Sequence, residues 1–107
     1  MLAVLFMDLD KFKQVNDAAG HAVGDQLLQQ AALRIQSAIR ASDTVARFGG
    51  DEFVVLLEHI DEIATASAVA EKVRLGLNQP FDIDGAQYWV LPSIGMRPMR
   101  SSTKRLR

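Results

Sequence analysis

Two short acidic clusters carry most of the chemistry this chain can offer: Asp8-Leu9-Asp10 and Gly49-Gly50-Asp51-Glu52. Carboxylates are hard oxygen ligands for a divalent cation, and phosphate is the group such a cation usually brings with it. Each cluster lies where a fold can present it. Leu2-Ala3-Val4-Leu5-Phe6-Met7 is a short, continuous apolar run that reads as a fully buried central strand, although a buried helix segment would have the same composition. Its end places Asp8 and Asp10 at the mouth of the core. The glycines of the second cluster lie between two strand-like runs and point to a tight hairpin. There they are expected to supply a positive φ and to let a ligand approach the backbone. If the two clusters converge, the chain is a nucleotide-processing fold.

The elements that must position these residues alternate along the chain. A strand over 2–8 is followed by a short helix over about 10–17. A Gly-punctuated loop through Gly20, His21, Gly24 and Asp25 leads into a long helix over about 22–41, with Val23, Leu27, Leu28, Ala31, Ala32, Ile35 and Ile39 at helical spacing. Residues 44–48 and 52–58 form the arms of the hairpin around Gly49-Gly50. Asp61 is the expected N-cap of a helix running to about Leu77, and Pro80 stops any continuation. Phe81-Asp82-Ile83 and the run 87–95 read as a second hairpin about Asp84-Gly85-Ala86. Trp89 and Tyr88 are read as sheet packing. The expected fold class is α+β, a mostly antiparallel central sheet covered by helices.

Composition narrows the function by exclusion. Twelve basic against thirteen acidic residues give no electrostatic case for duplex nucleic acid or a membrane surface. With no cysteine there is neither a disulfide framework nor a thiolate zinc site, which is compatible with the cytoplasm. No apolar run reaches membrane-spanning length, and no signal peptide is expected ahead of the first strand.

The segments Phe6-Met7-Asp8-Leu9-Asp10-Lys11-Phe12-Lys13, Asn16-Asp17, Gly20-His21, Gly24-Asp25 and Gly49-Gly50-Asp51-Glu52-Phe53 resemble, in order and in spacing, the GGDEF-domain diguanylate cyclases. That family condenses two GTP molecules into cyclic di-GMP, on a fold like the polymerase palm and the class III nucleotidyl cyclases. The resemblance covers about residues 1–95. It implies two Mg²⁺ (or Mn²⁺) ions per active site, with Asp8, Asp51 and the Leu9 carbonyl as ligands. It also implies Asp51 as proton acceptor, Glu52 as a supporting acid, and Gly49 and Gly50 beside the phosphates. Asn16 and Asp25 fall at positions that read the guanine edge, with His21 near the nucleotide. An amide and a carboxylate suit the N1–H and N2–H₂ donors of guanine. Arg40-Ala41-Ser42-Asp43 matches the family's RxxD product-inhibition motif, whose Arg and Asp would hold cyclic di-GMP. Turnover is expected only in a homodimer, each half carrying one GTP.

Each motif also has a plainer explanation. Strand-end acids are commonly just solvated, as are Lys11 and Lys13. Asn16, Gly20 and Gly24 can shape a helix–loop–helix connection, and Arg40 and Asp43 can serve as a helix-end cation and a turn acid. The chain also departs from the family pattern. The helix and the segment that usually precede the first strand are missing, and residues 96–107 replace the family's closing strand, helix and phosphate-binding cations. That basic stretch is read as a disordered, non-family tail, as an altered frame or a truncated gene would give. Three readings follow: a cyclase domain with its acids intact, a catalytically inactive remnant that still binds GTP or cyclic di-GMP, or an unrelated palm-like domain.

Overall fold

The computed structural model describes residues 1–99. β1 (Leu2–Asp10) is the strand the apolar run predicted, two residues longer than expected. It is central but buried on one face only. Ala3, Leu5, Met7 and Leu9 are enclosed, whereas Phe6 keeps 49% of its surface and Asp8 and Asp10 are exposed. The fully buried reading is therefore corrected. Both neighbours of β1 are antiparallel strands, and antiparallel sheets tolerate one open face.

α1 (Phe12–Ala19) and α2 (His21–Ala38) follow, then the hairpin of β2 (Thr44–Arg47) and β3 (Glu52–Leu57), then α3 (Ile63–Leu77). β4 (Phe81–Ile83) and β5 (Ala86–Tyr88) form a small separate hairpin, and β6 (Leu91–Met99) returns along β1. The main sheet has the order β2-β3-β1-β6 and is antiparallel throughout. This is an α+β split arrangement in which each crossover passes through helices. Leu27, Leu28, Ala31 and Ile35 of α2 and Ala66, Val73 and Leu77 of α3 close over Leu5, Leu9, Val55 and Leu57. Each fully buried Leu, Ile or Val among them contributes roughly 1.5–3 kcal/mol.

Several boundaries moved for local physical reasons. α2 ends at Ala38 because Ile39 turns to an extended conformation. α3 is capped at Glu62, not Asp61, and without a side-chain hydrogen bond. The second hairpin is shorter than expected. Asp84 (φ 53°) and Gly85 (φ 83°) make a two-residue turn of the kind that suits right-twisted strands, and its return arm stops at Tyr88. Residues from Leu91 belong instead to β6, which pairs with β1 as far as Met99. The tail reading is thus corrected for residues 96–99: Ile94 and Met96 alternate onto the helix-covered face and pack on the core. The rest of that reading lies outside the described residues. Trp89 is 53% exposed and not packed in a sheet, whereas Tyr88 does pack against the core.

One cationic side chain ties the layers together. The Arg34 guanidinium lies 3.7 Å from the Phe81 ring centroid and donates to the carbonyls of Gly76 (3.1 Å), Gln79 (2.9 Å) and Pro80 (2.6 Å). It thereby satisfies the carbonyls where α3 ends and β4 begins.

Candidate functional site

The antiparallel register brings the two acid clusters together. Asp8 of β1 is the direct partner of Glu52 of β3, and the Leu9 amide donates to the Asp51 carbonyl at 3.1 Å. Partners in register point to the same face, so Asp8 and Glu52 both look out from the side of the sheet that α2 and α3 leave open. They line one cleft of about 500 Å³, together with Phe6, Phe48, Ser93 and Gly95. Asp51 does not line this cleft; it sits half-buried in the turn, with its carbonyl engaged by Leu9. The Leu9 side chain is fully buried in the core.

The Gly-Gly turn is braced from within. The Phe48 amide donates to the Glu52 carbonyl at 2.8 Å, and the Arg47 guanidinium reaches the carbonyls of Gly50 (3.0 Å) and Gly49 (3.5 Å). Neither glycine has a positive φ, which corrects that expectation; the left-handed glycines are Gly20 and Gly85. What Gly49 and Gly50 supply is space. A side chain added at Gly50 would meet nothing, and one at Gly49 would touch Glu52 Oε1 at 3.4 Å.

The donor set is all oxygen, which suits magnesium. Among the described residues no three His, Cys, Asp or Glu side chains already lie close enough to hold an ion. Magnesium does not require them to, since it keeps several waters and is commonly bound by one or two carboxylates plus substrate phosphates. The residues present therefore fit the ion.

The second cluster, Asn16, His21 and Asp25, is organised by Gly20. Its φ of 98° and ψ of 163° lie where only glycine is comfortable, and they turn the chain sharply from α1 into α2. The turn brings His21 back over α1, where Asn16 Nδ2 donates to His21 Nδ1 at 3.0 Å. Asp25, exposed one turn further along α2, lines a second cleft of about 430 Å³ with Leu28, Gln29, Gln36, Arg47 and Phe53. Phe53, buried from the core side, borders both clefts.

Arg40 and Asp43 are brought together, but onto each other. The Asp43 carboxylate accepts from Arg40 Nε (3.0 Å), from its terminal nitrogen (2.8 Å) and from its backbone amide (2.9 Å). Arg40 also donates to the Glu58 carbonyl at 2.6 Å. The largest influence on the Asp43 carboxyl is burial, which pushes it upward. The hydrogen bonds and charge of Arg40 outweigh that and hold it below the ordinary carboxylate value. Bonding to Asp43 in turn raises Arg40. This turn flanks a third cleft of about 520 Å³. It stands at the far end of the β2–β3 hairpin from Gly49-Gly50, roughly 15–20 Å away at strand spacing.

Sequence reasoning missed three features of the site. Lys11 adopts a left-handed conformation (φ 71°) immediately after the acid cluster, and nothing in its residue type signals that. Asp10 accepts a hydrogen bond from Ser93 Oγ, a residue 83 positions away. Arg47 braces the Gly-Gly turn; its place just ahead of two glycines was the available signal.

Comparison with known proteins identifies the family and the fold. The family profile described as "Diguanylate cyclase, GGDEF domain" matches residues 1–106, which extends past residue 95. The bifunctional diguanylate cyclase/cyclic di-GMP phosphodiesterase MucR of Pseudomonas aeruginosa is 52% identical over 88% of this chain and 14% of its own length. The cyclic di-GMP phosphodiesterase NbdA of the same organism is 42% identical over 89% of this chain and 12% of its own. The crystal structure of the GGDEF domain of TpbB, also from Pseudomonas aeruginosa, superposes with a TM-score of 0.85 at 44% identity, covering 89% of this chain and 60% of that one. The chain therefore spans about one eighth to one seventh of these curated relatives and three fifths of the solved domain.

Proposed function

The chain belongs to the GGDEF-domain family of diguanylate cyclases, and from that premise we propose that it binds GTP and condenses two GTP into cyclic di-GMP with release of pyrophosphate. Members of the family bind GTP and cyclic di-GMP and generally use Mg²⁺. The observation that carries the proposal is the register pair Asp8–Glu52, held one residue from the Leu9–Asp51 hydrogen bond.

In this reading Asp8, Asp51 and the Leu9 carbonyl hold magnesium, with Glu52 in support. When bound, the metal lowers the pKa of the attacking hydroxyl and neutralises the departing pyrophosphate. The 3′-oxygen of one GTP bonds to the α-phosphorus of the other, the bond to the β-phosphate oxygen breaks, and the same step repeats to close the ring. Asp51 takes the hydroxyl proton. Gly49 and Gly50 leave the backbone open to the phosphates. His21 takes the Asn16 amide nitrogen, so the amide oxygen and the Asp25 carboxylate remain as acceptors for the guanine donor edge. Adenine would leave those acceptors unpaired, which is a physical reason for GTP over ATP. Each chain holds one GTP, so ring closure needs a homodimer with the two sites facing. Cytoplasmic GTP is the expected substrate pool.

Arg40 and Asp43 form an inhibitory cyclic di-GMP site. The ligand takes over part of a pairing that the two residues now make with each other, and it inhibits only if it prefers the unproductive arrangement.

A second reading, a catalytically inactive module that binds GTP or cyclic di-GMP, is favoured by one observation: NbdA, at 42% identity, is named a phosphodiesterase. Incubating the purified chain with GTP and Mg²⁺ and resolving nucleotides by chromatography separates the two. Cyclic di-GMP and pyrophosphate support the cyclase. GTP-dependent thermal stabilisation without product supports the inactive module.

A further inference from the structure

We propose that Gly24 is a positioning residue for guanine selection, because its missing side chain is the space in which the Asn16 carboxamide sits; the proposal rests on the reading of Asn16 as a guanine contact. Gly24 lies buried inside α2, and its backbone is not left-handed. Glycine inside a helix is less stable than alanine by roughly 0.5–1 kcal/mol, so the backbone gives no reason for it here. The surroundings do. A Cβ built on Gly24 would overlap Asn16 Oδ1 and would stand 3.1 Å from Asn16 Cγ and 3.4 Å from Phe12 Cζ.

The Asn16 carboxamide is thus held at both ends. Its nitrogen donates to His21 Nδ1, and its oxygen lies against the bare Cα of Gly24. The backbone of the same residue is tied across the helix junction, since the Gly20 amide donates to the Asn16 carbonyl at 2.9 Å and the Gly24 amide to the Gly20 carbonyl at 3.1 Å. Asp25, the second proposed acceptor, is the next residue. Gly24 therefore fixes where the amide stands relative to that carboxylate. A methyl group at position 24 must displace the Asn16 carboxamide, the far end of a short side chain. The effect falls on recognition and leaves the fold in place.

The test is calorimetric titration of GTP and of ATP, each with Mg²⁺, into the parent chain, Gly24→Ala, Asn16→Ala and the double variant, with a melting curve for each. Gly24→Ala is expected to weaken GTP binding about tenfold and to leave ATP within about twofold, at an unchanged or higher Tm. Asn16→Ala is expected to show a similar loss, and adding Gly24→Ala to it to change GTP binding by less than about twofold. Unchanged GTP affinity in Gly24→Ala, or losses that add in the double variant, would overturn the proposal. If Gly24→Ala melts much lower, recovery of Tm in the double variant supports the overlap with Asn16, and no recovery refutes it. A parent that does not prefer GTP to ATP removes the nucleotide reading and this proposal with it. Loss of GTP binding in Asn16→Ala alone removes only the role of Gly24.

Discussion

Asp8 and Glu52 are direct partners across the β1–β3 ladder, both exposed and both on the open face of the sheet. Like charges placed opposite each other in an antiparallel pair are destabilising, by roughly 0.2–1 kcal/mol. A sheet selected for stability alone would set a Lys or Thr against one of them. Keeping two acids there makes sense if a cation normally lies between them and the substrate.

Asp8→Asn should therefore lose function and keep stability. Cyclic di-GMP formation is expected to fall by about 10²–10³. The apo melting temperature should stay level or rise, because the repulsion with Glu52 is relieved. Mg²⁺ should stabilise the parent more than the variant. A variant that cycles GTP at the parent rate would remove Asp8 from the site.

Arg34 should matter for folding and not for nucleotide. Its three backbone acceptors and its stacking on Phe81 would be lost in Arg34→Ala, leaving helix-end carbonyls without donors. A loss of about 2–4 kcal/mol is expected in urea unfolding. Arg34→Lys should recover less than half of it, since an ammonium cannot reproduce the planar fork. GTP affinity measured well below the transition should be unchanged in both.

The Arg40–Asp43 pair should show in the acid limb of stability. The Asp43 carboxyl is held below its ordinary value in the folded chain, so its pairing contributes fully above the unfolded-state value, about pH 4. That contribution fades as pH falls through the folded-state value. Asp43→Asn should therefore lower Tm at pH 7 and narrow the gap to the parent toward pH 3. A constant gap between pH 7 and pH 3 would mean that the pairing does not couple to folding.

Arg40→Ala tests the ligand role of the same turn. Binding of cyclic di-GMP, followed by calorimetry, should be lost or weakened at least tenfold, because the planar guanidinium fork is what would meet the guanine edge. Unchanged binding would place the ligand elsewhere.

Gly20→Ala should be costly. Its φ of 98° with ψ of 163° excludes ordinary side chains, so about 1–3 kcal/mol of strain is expected. Any relaxation of the junction would pull His21 from Asn16. Hydrogen exchange at the α1–α2 junction, compared with that in β1, would report whether the disturbance stays local.

Much of this architecture could be read from residue types, because burial periodicity is local. The spacing of Leu27, Leu28, Ala31 and Ile35 marked α2, and Pro80 marked the end of α3's reach. Asp84-Gly85 marked a turn because few residues take a left-handed backbone cheaply. The residues with candidate chemistry were also visible, since carboxylates beside glycines and an Asn ahead of Gly-His are uncommon combinations. Where the reading erred, the deciding partner was distant. Residues 91–95 looked like a hairpin arm to the segment before them and 96–99 like the start of a tail, yet all of 91–99 pair with β1, more than eighty positions earlier.

The chain's own order of residues thus determined which side chains could bind metal or base, and which segments would be helix or strand. Tertiary structure decided their company: Asp8 with Glu52 by strand register, Asn16 with Gly24 by helix crossing, and Arg40 with Asp43 and the Glu58 carbonyl by the closing of a turn against β3. The reason is that propensity and amphipathic period act over a few residues, whereas register and packing are fixed only when distant surfaces bury one another.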